Sequence, residues 1–166
     1  MATAAADAVF LDTNVLVHAN VAESPMHQVA LQAIETRYSA GVELWVSRQV
    51  LREYLAVLSR PQTFSRPQPA VTLAARIRYF AERFCVADEG RDVTERLLAL
   101  VEQIPMGGSQ IHDANIATMQ AYGLGHLLTE NTDDFGRFGE LITVWPLGAD
   151  VPVQLGSGAP EPKNGE

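Results

Sequence analysis

The chain is short of several things that common protein chemistries need. It has one cysteine, Cys85, so no intramolecular disulfide can form. It has one lysine, Lys163, close to the C-terminus, and every other basic residue is arginine. A P-loop, a Schiff base or a phosphate-clamping lysine within the body is therefore excluded. Basic residues are outnumbered by acidic ones, 12 against 20, for a formal charge of −8. Such a chain is not a sequence-blind polyelectrolyte binder that works by releasing counterions from phosphates. An enzyme that reaches phosphate through a metal ion remains open. No run approaches the ~20 apolar residues that span a bilayer. Residues 1–8 hold no basic residue and no long apolar stretch, which does not read as a signal peptide, so a cytoplasmic location is expected.

What is present fits one domain. The 166 residues are 47% hydrophobic, enough for a core. Short apolar runs alternate with helical patterns. Strands are predicted at Val9–Leu11, Glu43–Val46, Phe84–Val86, His126–Thr129 and Ile142–Trp145. Helices are predicted over 14–20, 25–39, 48–59, 69–83, 93–104 and 110–122, with Ser47 and Ser109 as N-caps and Gly123 as a stop. The alternation predicts an α/β fold: a central parallel β-sheet of about five strands flanked by helices. The body is expected to span residues 8–147. The Gly- and Pro-rich stretch 148–166 reads as a flexible tail.

In a parallel sheet the site lies beyond the carboxyl ends of the strands. Asp12 directly follows the first strand, where an acid is either a helix N-cap or a metal ligand. Glu53 lies on the polar stripe of the 48–59 helix, a stripe that faces either solvent or a cleft. Asp113 falls in the first turns of the 110–122 helix, where the dipole favours a carboxylate in any case. Asn131, Asp133 and Asp134 follow the fourth strand and would serve equally as turn residues. Each signal alone is weak. Carboxylates gathered at one sheet edge repel one another unless a cation compensates, and hard oxygen donors select Mg²⁺ or Mn²⁺. Such an ion polarises a phosphoryl oxygen and activates a bound water. Arg48 and Arg52, close to Glu53 in sequence, are candidate contacts for a phosphodiester backbone or simply solvated arginines. The His112-Asp113 dipeptide is too isolated to mark a helical HD-type phosphohydrolase, and a phosphotransferase with Asp after its first strand would need a lysine in the site.

The segments Phe10-Leu11-Asp12-Thr13-Asn14-Val15-Leu16, Leu51-Arg52-Glu53-Tyr54, Ile111-His112-Asp113-Ala114 and Leu127-Leu128-Thr129-Glu130-Asn131-Thr132-Asp133-Asp134-Phe135 together resemble the PIN-domain ribonucleases, above all the VapC-type toxins of type II toxin–antitoxin pairs. The resemblance covers about residues 8–147. It implies an Mg²⁺- or Mn²⁺-dependent endoribonuclease with a cognate antitoxin, and a homodimer. Carried over, Asp12, Glu53 and Asp113 match the family's metal-binding acids, with Thr13 and Thr129 as further contacts. Asn131 stands where some members have an acid, and Asp134 is the substitute expected there. That departure leaves open one metal ion or two, and keeps two alternatives in play. One is a PIN-like binding module with a degenerate site; the other is a PIN-type nuclease for another nucleic acid.

Overall fold

The computed structural model describes residues 8–104 and 110–149. Five strands form one all-parallel sheet: β1 (Ala8–Leu11), β2 (Glu43–Ser47), β3 (Cys85–Ala87), β4 (His126–Thr129) and β5 (Thr143–Pro146). Their order is β3-β2-β1-β4-β5. The chain winds outward from β1 first to one side and then to the other. The topological switch point, where α/β sheets open a crevice, therefore lies between β1 and β4. Among the described residues, six α-helices connect and cover the sheet: α1 (Thr13–Asn20), α2 (His27–Ser39), α3 (Arg48–Leu58), α4 (Ala70–Arg83), α5 (Arg91–Gln103) and α6 (Gln110–Ala121). A 3-10 helix, Thr132–Phe138, follows β4.

All four residues of β1 are buried, as expected for a central strand covered on both faces. Phe10 pairs in register with Trp45 of β2 and Leu127 of β4. The Asp12 amide donates to the Leu128 carbonyl at 3.1 Å, which carries the ladder one residue past the strand and fixes Asp12 against β4. On the far side, Tyr54 meets Phe80 edge-on at 5.2 Å and Phe80 stacks on Phe84 at 5.8 Å, joining α3 to α4. Burial pushes the Tyr54 hydroxyl up to about 12. Ala30, Ile34 and Leu73 are core residues.

The expected α/β architecture is present, with shifts at element ends. Ser47 caps α3 through the Val50 amide, as read from the sequence. The helix predicted from Pro25 begins at His27, because Ser24 holds the Met26 amide and the His27 amide in a turn. Strand β3 starts one residue late, because the Phe84 amide still closes α4 on the Phe80 carbonyl. The segment expected to be a turn after β4 is helical through Phe138, since Phe135 and Phe138 both enter the core. Gly123 ends α6 at φ +68°, a conformation glycine adopts without strain. The proposed N-cap Ser109 and almost all of the predicted tail lie outside the described residues.

Candidate functional site

At the switch point, Asp12 is both the N-cap of α1 and a buried carboxylate, 5% exposed. Both of its oxygens accept hydrogen bonds. Oδ1 accepts from the Thr13 amide at 2.7 Å. Oδ2 accepts from the Thr129 hydroxyl at 2.7 Å and from Asn14 Nδ2 at 3.2 Å. Asn14 also reaches Thr129 Oγ1 at 3.1 Å, and its Oδ1 accepts from the Glu130 amide at 3.2 Å. A web of short polar side chains thus ties the end of β1 to the end of β4. Burial raises the Asp12 pKa above its ordinary value of 3.8; the Thr129 and Thr13 hydrogen bonds and His112 oppose that rise, while Glu53 adds to it.

Glu53 comes to the same place from α3. Its Oε2 accepts from the Thr13 hydroxyl at 2.7 Å and its Oε1 from Gln49 Nε2 at 2.8 Å, one helical turn earlier. Thr13 therefore bridges the two acids, through its amide to Asp12 and its hydroxyl to Glu53. Asp12 and Glu53 line one cavity of about 470 Å³. Thr13, Asn14, His18, His112, Glu130 and Asn131 supply its polar wall; Val17, Ala56, Val57 and Phe64 supply its apolar wall. No arginine or lysine is among the described residues that line it.

Asp113 is buried as well, 5% exposed, but it does not line this cavity. Its Oδ1 is held by Arg137 Nη2 at 2.5 Å. Among the described residues, no three of the His, Cys, Asp and Glu side chains stand close enough to hold one metal ion as they are. The structure thus brings Asp12 and Glu53 together with Asn131 and leaves Asp113 paired to Arg137, outside that lining. Asp134 is exposed and lies 3.4 Å from His112 Nε2, outside the cavity lining. Arg48 and Arg52 also stay away from it. Arg48 pairs with Asp88 at 2.5 Å and Arg52 with Glu89 at 2.7 Å, on an exposed rim.

The donors that meet suit a hard divalent cation. Asp12 is a buried carboxylate that forms no ion pair among the described residues, and Glu53 adds a second negative charge nearby. A cation there would offset the burial cost that raises the Asp12 pKa. Two groups escaped the sequence reading. One is Arg137, which looks in the sequence like an ordinary base closing a helical turn. The other is His18, whose Nε2 lies 2.6 Å from Glu130 Oε2 and whose Nδ1 lies 2.6 Å from Ser24 Oγ. A lone histidine six residues after Asp12 carries no signal that would select it.

Comparison with known proteins agrees with this geometry. The PIN domain family model matches residues 9–141. A search of curated proteins found no match. Among solved structures, VapBC2 from Rickettsia felis bound to a promoter DNA fragment superposes with a TM-score of 0.63 at 18% identity, covering 84% of this chain and 98% of that one. A toxin–antitoxin complex from Klebsiella pneumoniae gives 0.56 at 21% identity, covering 77% and 90%. VapC20 from Mycobacterium tuberculosis, described as a sarcin-ricin loop cleaving toxin, gives 0.55 at 22%, covering 72% and 86%. With the family model spanning most of the body and the acids converging on the β1/β4 crevice, the chain belongs to the PIN domain family.

Proposed function

We propose that the protein is a metal-dependent endoribonuclease, the toxin of a toxin–antitoxin pair, that hydrolyses RNA phosphodiester bonds. The observation that carries this reading is the meeting of two carboxylates, Asp12 and Glu53, in one cavity at the switch point with no arginine or lysine among its described lining. Membership of the PIN family and the likeness to a toxin that cleaves the sarcin-ricin loop support the substrate class. The likeness to toxin–antitoxin complexes supports an antitoxin as partner.

Asp12 and Glu53 would hold Mg²⁺ or Mn²⁺, joined by Asp113. When bound, the ion supplies an activated water and offsets charge on the reacting phosphate. The chain's own residues prepare the site. Thr13 and Thr129 hold Asp12 in its acceptor state through short hydrogen bonds. Thr13 and Gln49 fix the Glu53 carboxylate, so little reorientation is left to be done when substrate arrives. The apolar wall of Val17, Ala56, Val57 and Phe64 keeps that part of the cavity poor in water and offers a face for a base or ribose.

The test is RNA cleavage by the purified full chain with Mg²⁺, Mn²⁺ or chelator, followed by sequencing of RNA ends after brief induction in cells. Cleavage that needs the ion and is lost in Asp12→Asn is expected. Wild-type-like cleavage by Asp12→Asn, or cleavage in chelator, would refute the reading. Loss of toxicity when the product of the adjacent small gene is co-expressed is the expected sign of the antitoxin.

A further inference from the structure

Arg137 is the one basic side chain that the described residues place on an acid matching the metal-binding positions of the family. It sits near the end of the 3-10 helix after β4, its guanidinium 4.8 Å from the centre of the Phe138 ring. One nitrogen, Nη2, donates to Asp113 Oδ1. The Nε–H is buried and has no hydrogen-bond partner among the described residues. A guanidinium offers Nε–H and Nη–H as a parallel pair, a fork that two oxygens of one carboxylate or phosphate fill together. Here a single carboxylate oxygen fills half of it.

Resting on the nuclease reading above, we propose that Arg137 is an internal counter-ion that competes with the divalent cation at Asp113. We further propose that a phosphodiester draws it off, so that RNA binding and cation binding support each other through this one side chain. The physical basis is charge. A divalent ion on the Asp113 carboxylate would stand within a few ångströms of a permanent positive charge that water screens poorly. A phosphodiester carries two non-bridging oxygens, which satisfy Nε–H and Nη2–H together and release Asp113. Linkage makes the effect reciprocal: whatever the RNA does for the cation, the cation does for the RNA.

The experiment compares the full-length wild type with Arg137→Gln, Arg137→Lys and Asp12→Asn. Titration calorimetry with Mn²⁺ alone should show Arg137→Gln binding about five- to tenfold more tightly than the wild type. Arg137→Lys keeps the charge and should stay close to the wild type, and Asp12→Asn should lose the site. In chelator, where no cleavage is expected, fluorescence anisotropy with a short single-stranded RNA should show weaker binding by Arg137→Gln. Its slope of log affinity against log salt should be shallower by about 0.7, the loss of one phosphate contact. Should Arg137→Gln not fold, the wild type still reports. The Nε–H resonance of Arg137, assigned by its disappearance in Arg137→Lys, should shift saturably as Mg²⁺ is added. Unchanged Mn²⁺ affinity in Arg137→Gln, an unchanged salt slope, or an Nε–H that ignores bound Mg²⁺ overturns the proposal. If the wild type and Arg137→Gln both fail to bind Mn²⁺, the nuclease reading falls, and the proposal with it.

Discussion

Two groups of acids follow strands at the same edge of the sheet, and their surroundings differ. Asp88 and Glu89 follow β3 at its outer side, where they meet Arg48 and Arg52 in solvent; both arginine side chains are more than half exposed. Asp12 follows β1 at the centre, is 5% exposed, and meets hydroxyls, amides and a second carboxylate, with His112 nearby but no arginine or lysine paired to it among the described residues. At the rim, opposite charges neutralise each other in water, and such pairs contribute little to stability. At the switch point, negative charge is taken out of water and only partly compensated by hydrogen bonds and His112, which costs stability and is retained in folds where a ligand repays it. An acid after a strand is therefore not the signal of a site. Burial without a cation is.

The sharpest break of this contrast is Asp12→Asn. It removes charge while keeping the shape. Metal-dependent cleavage should fall by about 10²–10³-fold or more, measured as initial rate on a defined RNA. Stability should move the other way, because a destabilising buried charge is gone. The expected gain is about 1–2 kcal/mol near pH 7 in chelator, read from urea unfolding. Its pH dependence follows from the raised pKa of Asp12. Between the ordinary value of 3.8 and the raised folded value, the folded state binds more protons than the unfolded one, so this group lowers stability as pH rises through that window. The difference between Asp12→Asn and the wild type should vanish below about pH 3.8, grow through the folded pKa, and stay flat above it. Added Mn²⁺ should raise the Tm of the wild type and leave that of Asp12→Asn unmoved.

Thr129→Val is the next step down. The Thr129 hydroxyl donates to Asp12 Oδ2, and its oxygen accepts from Asn14 Nδ2 and from the Asn131 amide at 3.1 Å. Thr129 is fully buried. Valine fills the space but leaves these groups unpaired, at a cost of about 1–3 kcal/mol in unfolding free energy. Mn²⁺ affinity should fall as well, since the Asp12 carboxylate loses the donor that holds its charge. Loss of stability with unchanged Mn²⁺ affinity would separate the web that joins β1 to β4 from the site itself.

How much of this was legible in the sequence follows the range of the interactions. Periodicity and caps are local, so the five strands, the α3 cap at Ser47 and the Gly123 stop could be read directly. Asp12 and Glu53 were legible as candidates because one ends a strand and the other lies on a polar helical stripe. That they meet depends on Thr13, whose hydroxyl reaches a residue forty positions away. The hold of Arg137 on Asp113 and that of His18 on Glu130 are side-chain contacts between residues far apart in the chain, and no local pattern encodes them. The same range explains Arg48 and Arg52. Nearness in sequence to Glu53 suggested a shared cleft, yet α3 turns them toward Asp88 and Glu89, residues that arrive with β3.

The smallest effects are expected at that rim, and they sharpen the contrast from its other side. Arg48→Ala and Arg52→Ala each break an exposed pair, so unfolding free energy should change by no more than about 0.5 kcal/mol, and by less at high salt. A double-mutant cycle of Arg48→Ala with Asp88→Ala should give a coupling within that same range. RNA affinity is the more telling measurement. Arginines already neutralised by Asp88 and Glu89 have little charge left to offer a phosphate, so Arg48→Glu with Arg52→Glu should leave the salt slope of RNA binding nearly unchanged. A slope shallower by about 1.4, two phosphate contacts' worth, would return both arginines to the RNA path. It would mean that RNA displaces Asp88 and Glu89 at the rim, as Arg137 is expected to be displaced at the centre.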